Sequence, residues 1–430
     1  MPLSSAIARP SPKLLINNTL AGPPPRPSVR SGIHPSRNRT LATPRAPAKL
    51  LDSITAQKVN RSLPTSAPSP SLGVPAFLSA GERWFLESGI IEPSGGVARY
   101  HFSDRAENAR ISTEITGYAV GSLLDLHQRT ANPAALDAAL HSARFLCRHA
   151  WNPALDAMPF EWAPDGHLPE HASYFFDNGI IARALLRCWR LTANPAFLDT
   201  ATACGQSMLR DFVNPEDIHP ILDLPRKSPR PRDARWSRQS ACYQLKAALA
   251  WLELAEATND PSWRPHFDRA LERALQTHAA FPGGEPGPRT MDRLHAYGYF
   301  LEALLARAEV PEIRAALAAG LTLAGDRLRQ WRPEFERSDV PAQILRVRLW
   351  AHHAGAVPLD TARAAEEAAW AARYQTAGPR HVDGSFCFGS RSGEFTPFAN
   401  PVSTAFCLQA LALYQDHLAG RPLPPPSTLV

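Results

Sequence analysis

The chain has 430 residues, 44% of them apolar, which is enough for a sizeable core. Its net charge of +6 is unevenly placed: residues 1–75 hold ten Lys or Arg against one acid, Asp52, so they carry +9 and the remainder is near −3. Basicity is thus a property of the N-terminal arm, which argues against a nucleic-acid partner for the rest, and no stretch is long or apolar enough to span a bilayer.

Taken in chain order, residues 1–75 are rich in Pro, Ser, Arg and Asn and are expected to form a disordered arm. They lack the apolar centre of a secretory signal peptide. Their basic, Ser-rich, acid-poor character looks like that of an organelle transit peptide, so a cytoplasmic location is expected with that alternative open. From residue 76 to about 420 a helical hairpin repeats. An opening helix at 77–86 is followed by pairs at 113–130 and 134–149, 174–192 and 197–212, and 240–258 and 263–278. Asn132-Pro133, Asn194-Pro195 and Asn259-Asp260-Pro261 mark the turns, each read as a C-cap followed by a proline opening the next helix. Further pairs follow at 295–308 and 311–331, and at 340–353 and 359–374, with a last helix at 401–417 and a Pro-rich tail at 421–430.

Six helices of one kind alternate with six of another. The first kind is apolar on nearly all sides, as in Ile180 to Trp189, and is expected inside; the second is more polar and is expected outside. The first and last helices complete the sixth pair. An open solenoid would expose apolar ends, so the expected fold is all-α: an (α/α)6 toroid, or six-hairpin barrel, with a disordered N-terminal arm. Six cysteines occur without a close C-x-x-C pair, so neither a disulfide framework nor a metal cluster is expected. The Gly-Ser-Arg-Ser-Gly run at 389–393 matches no phosphate-loop pattern. No metal and no cofactor are expected.

In such a ring the N-termini of the inner helices meet at one rim, where unpaired N–H groups and helix dipoles favour polar ligands. The segments there are polar and aromatic. Glu114 opens an otherwise apolar helix and is the first catalytic candidate, with N-terminal capping as its structural alternative. Asp177 follows Tyr174-Phe175-Phe176 on the next inner helix. Asp292 and His295 share one face by their i,i+3 spacing, and Tyr243 offers a hydroxyl or a stacking surface. Arg238, Trp236, Tyr174, Asn178, Arg293, Arg391 and Glu394 are candidates for substrate binding. Aromatic faces with carboxylates and guanidinium groups suit a saccharide, and the arginines suit an anionic one.

The layout resembles the six-hairpin, or (α/α)6-barrel, superfamily of inverting glycoside hydrolases, unsaturated-uronyl hydrolases, alginate-lyase-like enzymes and N-acyl-glucosamine epimerases. The resemblance covers 76–420 and is one of architecture. It implies that Asp177 is similar to an aspartate of the uronyl hydrolases and Glu114 to the acid of other members. In epimerase terms only His295 is placed as acid or base; in lyase terms Tyr243, His295, Arg238 and Asn178 fill the roles. The expected function is a glycoside hydrolase in which Glu114 protonates the leaving oxygen and Asp177 or Asp292 activates water. The alternatives are a polysaccharide lyase or sugar epimerase working through Tyr243 and His295, and a non-catalytic glycan-binding or scaffold protein.

Overall fold

The computed structural model describes residues 74–168, 170–283 and 289–430, so nearly all of the expected arm lies outside the described residues. Twelve α-helices carry the described chain: α1 (Val74–Glu87), α2 (Thr113–Thr130), α3 (Pro133–Phe145), α4 (Phe175–Thr192), α5 (Pro195–Ser207), α6 (Leu245–Thr258), α7 (Arg264–Thr277), α8 (Thr290–Leu304), α9 (Pro311–Trp331), α10 (Asp339–His353), α11 (Thr361–Ala372) and α12 (Pro401–Leu418).

The even-numbered helices form the inner ring. Each touches the next, from α2 through α4, α6, α8 and α10 to α12, and α12 returns to α2. This closes the toroid that the alternating pattern predicts. Burial follows from composition. Helix α6 is buried without a break from Leu245 to Ala255, whereas outer helix α7 buries only Phe267, Ala270, Leu271 and Ala274, a single stripe at helical spacing. The inner helices sit close together where side chains are small. At Gly179 of α4 a Cβ would fall 2.5 Å from the Ala247 Cα of α6.

The repeated turns differ in detail from the expected C-caps. Ala131 and Ala193 take the left-handed conformation, and Asn132 and Asn194 cap the following helices by accepting from the N–H groups of Ala134 and Ala196. A residue preceding proline is driven to extended backbone, which is the N-cap conformation and not the left-handed one. The third unit keeps the same spacing, with Asn259 left-handed and Asp260 accepting from the Ser262 N–H.

Among the described residues there are also eleven short strands in four small sheets, absent from the all-helical reading. Loops that converge on a closed mouth are buried, and their backbone groups need partners that water does not supply. Ser112 thus pairs with Glu161, Tyr174 with Ile221, and Arg337 with Gly389. At the opposite end, residues 426–430 fold back into the ring instead of trailing from it: Leu429 and Val430 are buried against α2 and α4. No helix of the described residues is long and apolar enough to cross a membrane.

Candidate active site

Glu114 lies in the first turn of α2 and is only 4% exposed. The Ser112 hydroxyl caps this helix by accepting from the Ile115 N–H, so Glu114 is not needed as the cap. Burial pushes its carboxyl up to about 7, against the opposing charges of Arg99, Lys246 and Arg337. Asp177, in the first turn of the neighbouring α4, is 3% exposed. Burial, and then the adjacent Glu114 charge, push it well above the usual carboxylate range, and its Oδ2 has no protein partner. Two inner-helix carboxyls therefore share one desolvated space, where burial and mutual repulsion favour a proton on the pair.

Across the ring, α8 and α10 supply a second cluster. Arg337 Nη1 donates to Asp292 Oδ1 at 2.8 Å, while its Nε and Nη2 donate to the two oxygens of Asp339 at 3.0 and 2.7 Å. This bidentate clamp holds the Asp339 carboxyl below its ordinary range. Nδ1 of His295 lies 2.8 Å from Gln343 Oε1 and 3.5 Å from Asp339 Oδ2. Both neighbours accept, so Nδ1 carries the hydrogen and Nε2 is the acceptor. Burial, and then Arg337, drive His295 down to about 3, which keeps the ring neutral and makes it a weak base.

Tyr299 joins the two clusters. Its ring meets His295 edge-on at 4.5 Å and Phe176 at 4.7 Å, and burial, then the Glu114 charge, push its hydroxyl well above the usual range. Tyr118, Tyr299 and Phe406 surround the Lys246 ammonium at 5.1, 4.7 and 4.8 Å from their centroids. Lys246 is fully buried; it donates to Glu302 Oε2 and to the Val430 carbonyl, and burial lowers it to about 7.

The remaining sequence candidates separate into two groups. Trp236 stays near the centre, with its ring 5.0 Å from Tyr243 and 6.3 Å from His295. Tyr243, Tyr174 and Asn178 build the wall: the Tyr243 hydroxyl donates to the carbonyls of Ser237 and Gln239, the Tyr174 hydroxyl to Glu170, and the Asn178 amide to Ser173 Oγ and the Tyr174 carbonyl. Asp292 belongs to the Arg337 clamp. Arg238 pairs with Asp233, Arg293 donates to the Phe281 carbonyl, and Arg391 lies over the Phe335 ring in the hairpin where it faces exposed Glu394. Sequence reasoning did not single out Arg99, Glu161, Lys246, Tyr299, Arg337, Asp339 or Gln343. A lone lysine inside the apolar run from Leu245 to Leu254 was a usable signal, because burying an ammonium is costly without a purpose. Among the described residues no group of His, Cys, Asp or Glu has the arrangement of a metal site.

No protein-family profile and no curated protein sequence matches the chain. Solved structures do. The cellobiose 2-epimerase of Spirochaeta thermophila is 13% identical, with a TM-score of 0.64 over 80% of this chain and 96% of its own. A D-mannose isomerase is 9% identical, with a TM-score of 0.63 over 80% and 97%. The unsaturated glucuronyl hydrolase of Bacillus sp. GL1 is 12% identical, with a TM-score of 0.54 over 79% and 96%. At these identities the likeness establishes the fold, that of the six-hairpin toroids, over nearly the whole length of each relative.

Proposed function

We propose that this chain is a carbohydrate-active enzyme of the epimerase or isomerase type, moving a proton beside the carbonyl of a small reducing sugar. The observation that carries the reading is the buried pair of Glu114 and Asp177, on which burial and mutual repulsion favour a proton. A base works best with a pKa near the working pH. In this reading the Glu114 carboxylate takes the proton from C2 of the open-chain sugar. Asp177 gives its proton to the carbonyl oxygen as the enediol forms. Return of the first proton to C1, with Asp177 recovering one from the C2 hydroxyl, completes an aldose–ketose exchange; rotation of the enediol about C2–C3 followed by return of the proton to the opposite face of C2, with Asp177 recovering one from the C1 hydroxyl, would give the epimer. Nε2 of His295 is then an acceptor for a sugar hydroxyl, a role that suits its low basicity better than abstraction from carbon. Two further points support the reading. Both carboxyls are almost wholly enclosed, which suits the end of a small sugar over a long glycan lying in a groove. The epimerase and the mannose isomerase superpose with TM-scores of 0.64 and 0.63, against 0.54 for the glucuronyl hydrolase.

The test is incubation of the full chain with a panel of reducing mono- and disaccharides in deuterium oxide, followed by NMR. Deuterium at C1 or C2 is the expected outcome, and Glu114→Gln should slow its entry by roughly 100-fold or more. A second reading, glycoside hydrolysis, rests on the same pair, since two adjacent carboxyls of unequal acidity also serve to protonate a leaving oxygen and activate water. New reducing ends from glycosides, without deuterium entry, would replace the first reading by the second.

A further inference from the structure

The Arg99–Glu161 pair has no part in the proton transfer above, yet the Arg99 charge reaches both carboxyls. Glu161 lies opposite Ser112, the cap of α2, two positions before Glu114. Its neighbour Phe160 packs on Tyr174, the residue that opens α4, with ring centroids 4.7 Å apart. Arg99 rests its guanidinium over Phe160 at 4.9 Å, and its charge acts on both Glu114 and Asp177. The two side chains are 6% and 4% exposed.

A buried guanidinium beside a carboxylate normally forms two parallel bonds. Here there is one: Arg99 Nη1 donates to Glu161 Oε1 at 2.9 Å. Arg99 Nε and Nη2 and Glu161 Oε2 are shielded from solvent and have no protein partner. Leaving buried polar atoms unmatched costs stability unless a ligand completes them. The unmatched set is two donors and an acceptor side by side, the complement of neighbouring sugar hydroxyls, one accepting from the guanidinium and one donating to the carboxylate.

We propose that Arg99 and Glu161 form a recognition clamp for a neutral polyhydroxylated sugar, and that the Glu161 charge turns uronic acids away. This rests on the sugar-active reading above. The clamp is internally neutral, and the nearby Glu170, whose charge also acts on Glu161, is paired with Arg230. The other cations around Glu114 are already matched, Arg337 by Asp292 and Asp339 and Lys246 by Glu302. An incoming sugar carboxylate finds only Arg99, whose charge Glu161 already offsets, and exposed Arg110 at the edge, and it meets the Glu161 charge at close range.

The experiment measures binding of matched sugar pairs, glucose with glucuronic acid and mannose with mannuronic acid, to the full chain by calorimetry and saturation-transfer NMR. The wild-type chain is expected to bind the neutral member about 10-fold or more tightly, and Glu161→Gln, which keeps the shape and removes the charge, is expected to shift that ratio by about 10-fold toward the acid. Arg99→Lys keeps the charge but loses the fork, and should weaken the neutral sugar without altering the ratio. Circular dichroism and thermal unfolding verify that the variants fold. Equal or better uronate binding by the wild type, an unchanged ratio in Glu161→Gln, or no binding of either member overturns the clamp. Deuterium exchange on the same samples separates the two ideas: selective binding without exchange retains the clamp and removes the isomerase reading, while exchange with an unchanged ratio does the reverse.

Discussion

Lys246 Nζ donates to the Val430 carbonyl at 2.9 Å, closing the far end of the ring across 184 positions of sequence. The same carbonyl accepts from Arg346 Nη1 at 3.2 Å. Gln409 accepts from the Val430 N–H and donates to the Thr428 carbonyl, which also accepts from Arg187. Four inner-helix side chains thus depend on residues 426–430 for buried partners. Deleting those five residues strands donors in a low-dielectric interior and removes the Leu429 and Val430 contacts. A loss on the order of 3 kcal/mol is expected. Urea unfolding of the truncated chain checks this; an unchanged midpoint would mean that the segment is only draped over the opening.

Gly179 tests how tightly the inner ring is drawn. It lies two residues from Asp177, where α4 and α6 come together, and a methyl group there would fall 2.5 Å from both Cα and Cβ of Ala247. Alanine favours a helix over glycine by about 1 kcal/mol, yet the two helices would have to separate to admit it, and forced overpacking costs about 1–3 kcal/mol. Gly179→Ala is expected to lower the unfolding midpoint. A gain in stability would show that the ring yields there without strain.

The twelve helices and their order were legible because helices apolar on nearly all sides alternate with helices that bury one stripe, and because three Asn/Asp–Pro turns recur at one place in the unit. The rim was only half legible. Glu114 and Asp177 stand out in sequence as acids inside apolar helices, and the structure brings them together at neighbouring helix starts. The groups that set their charge do not stand out. Arg99 and Glu161 are 62 residues apart and Arg337 and Asp292 are 45 apart, and no local pattern couples them. The strands that align them form because the closed ring denies water to the rim backbone, a tertiary effect without a strand-like run in the sequence. The arginines chosen for their fork chemistry, Arg238, Arg293 and Arg391, instead found partners near the rim's edge.

Arg337 is expected to be the least replaceable residue of the site. It pairs with two buried carboxyls at once, Asp292 and Asp339, and Asp339 in turn lies beside His295. Arg337→Met keeps the apolar stem and leaves both acids uncompensated, at a cost of about 3–5 kcal/mol. Denaturant unfolding at pH 7 would register it. The double variant Arg337→Met with Asp339→Asn should recover part of the loss; no recovery would mean that the seat of the Arg337 guanidinium over the Phe388 ring, not its pairing with the acids, holds the cluster.

Glu114 makes stability and turnover depend on pH in opposite senses. Its carboxyl is raised from 4.5 to about 7 on folding, so between those values the native state binds the proton more tightly than the unfolded chain. The stabilisation is complete below pH 4.5 and is lost as pH rises through about 7. Glu114→Gln mimics the neutral form at every pH. The wild type should therefore fall behind this variant by up to about 3 kcal/mol between pH 5 and pH 8, read from paired urea midpoints. Base catalysis by Glu114 needs the ionised form, so kcat/KM should climb along an acid limb centred near 7 over the range in which the fold loses that stability. A constant difference between the midpoints, together with an acid limb near 4.5, would place Glu114 in contact with water and remove the pairing with Asp177 on which its role depends.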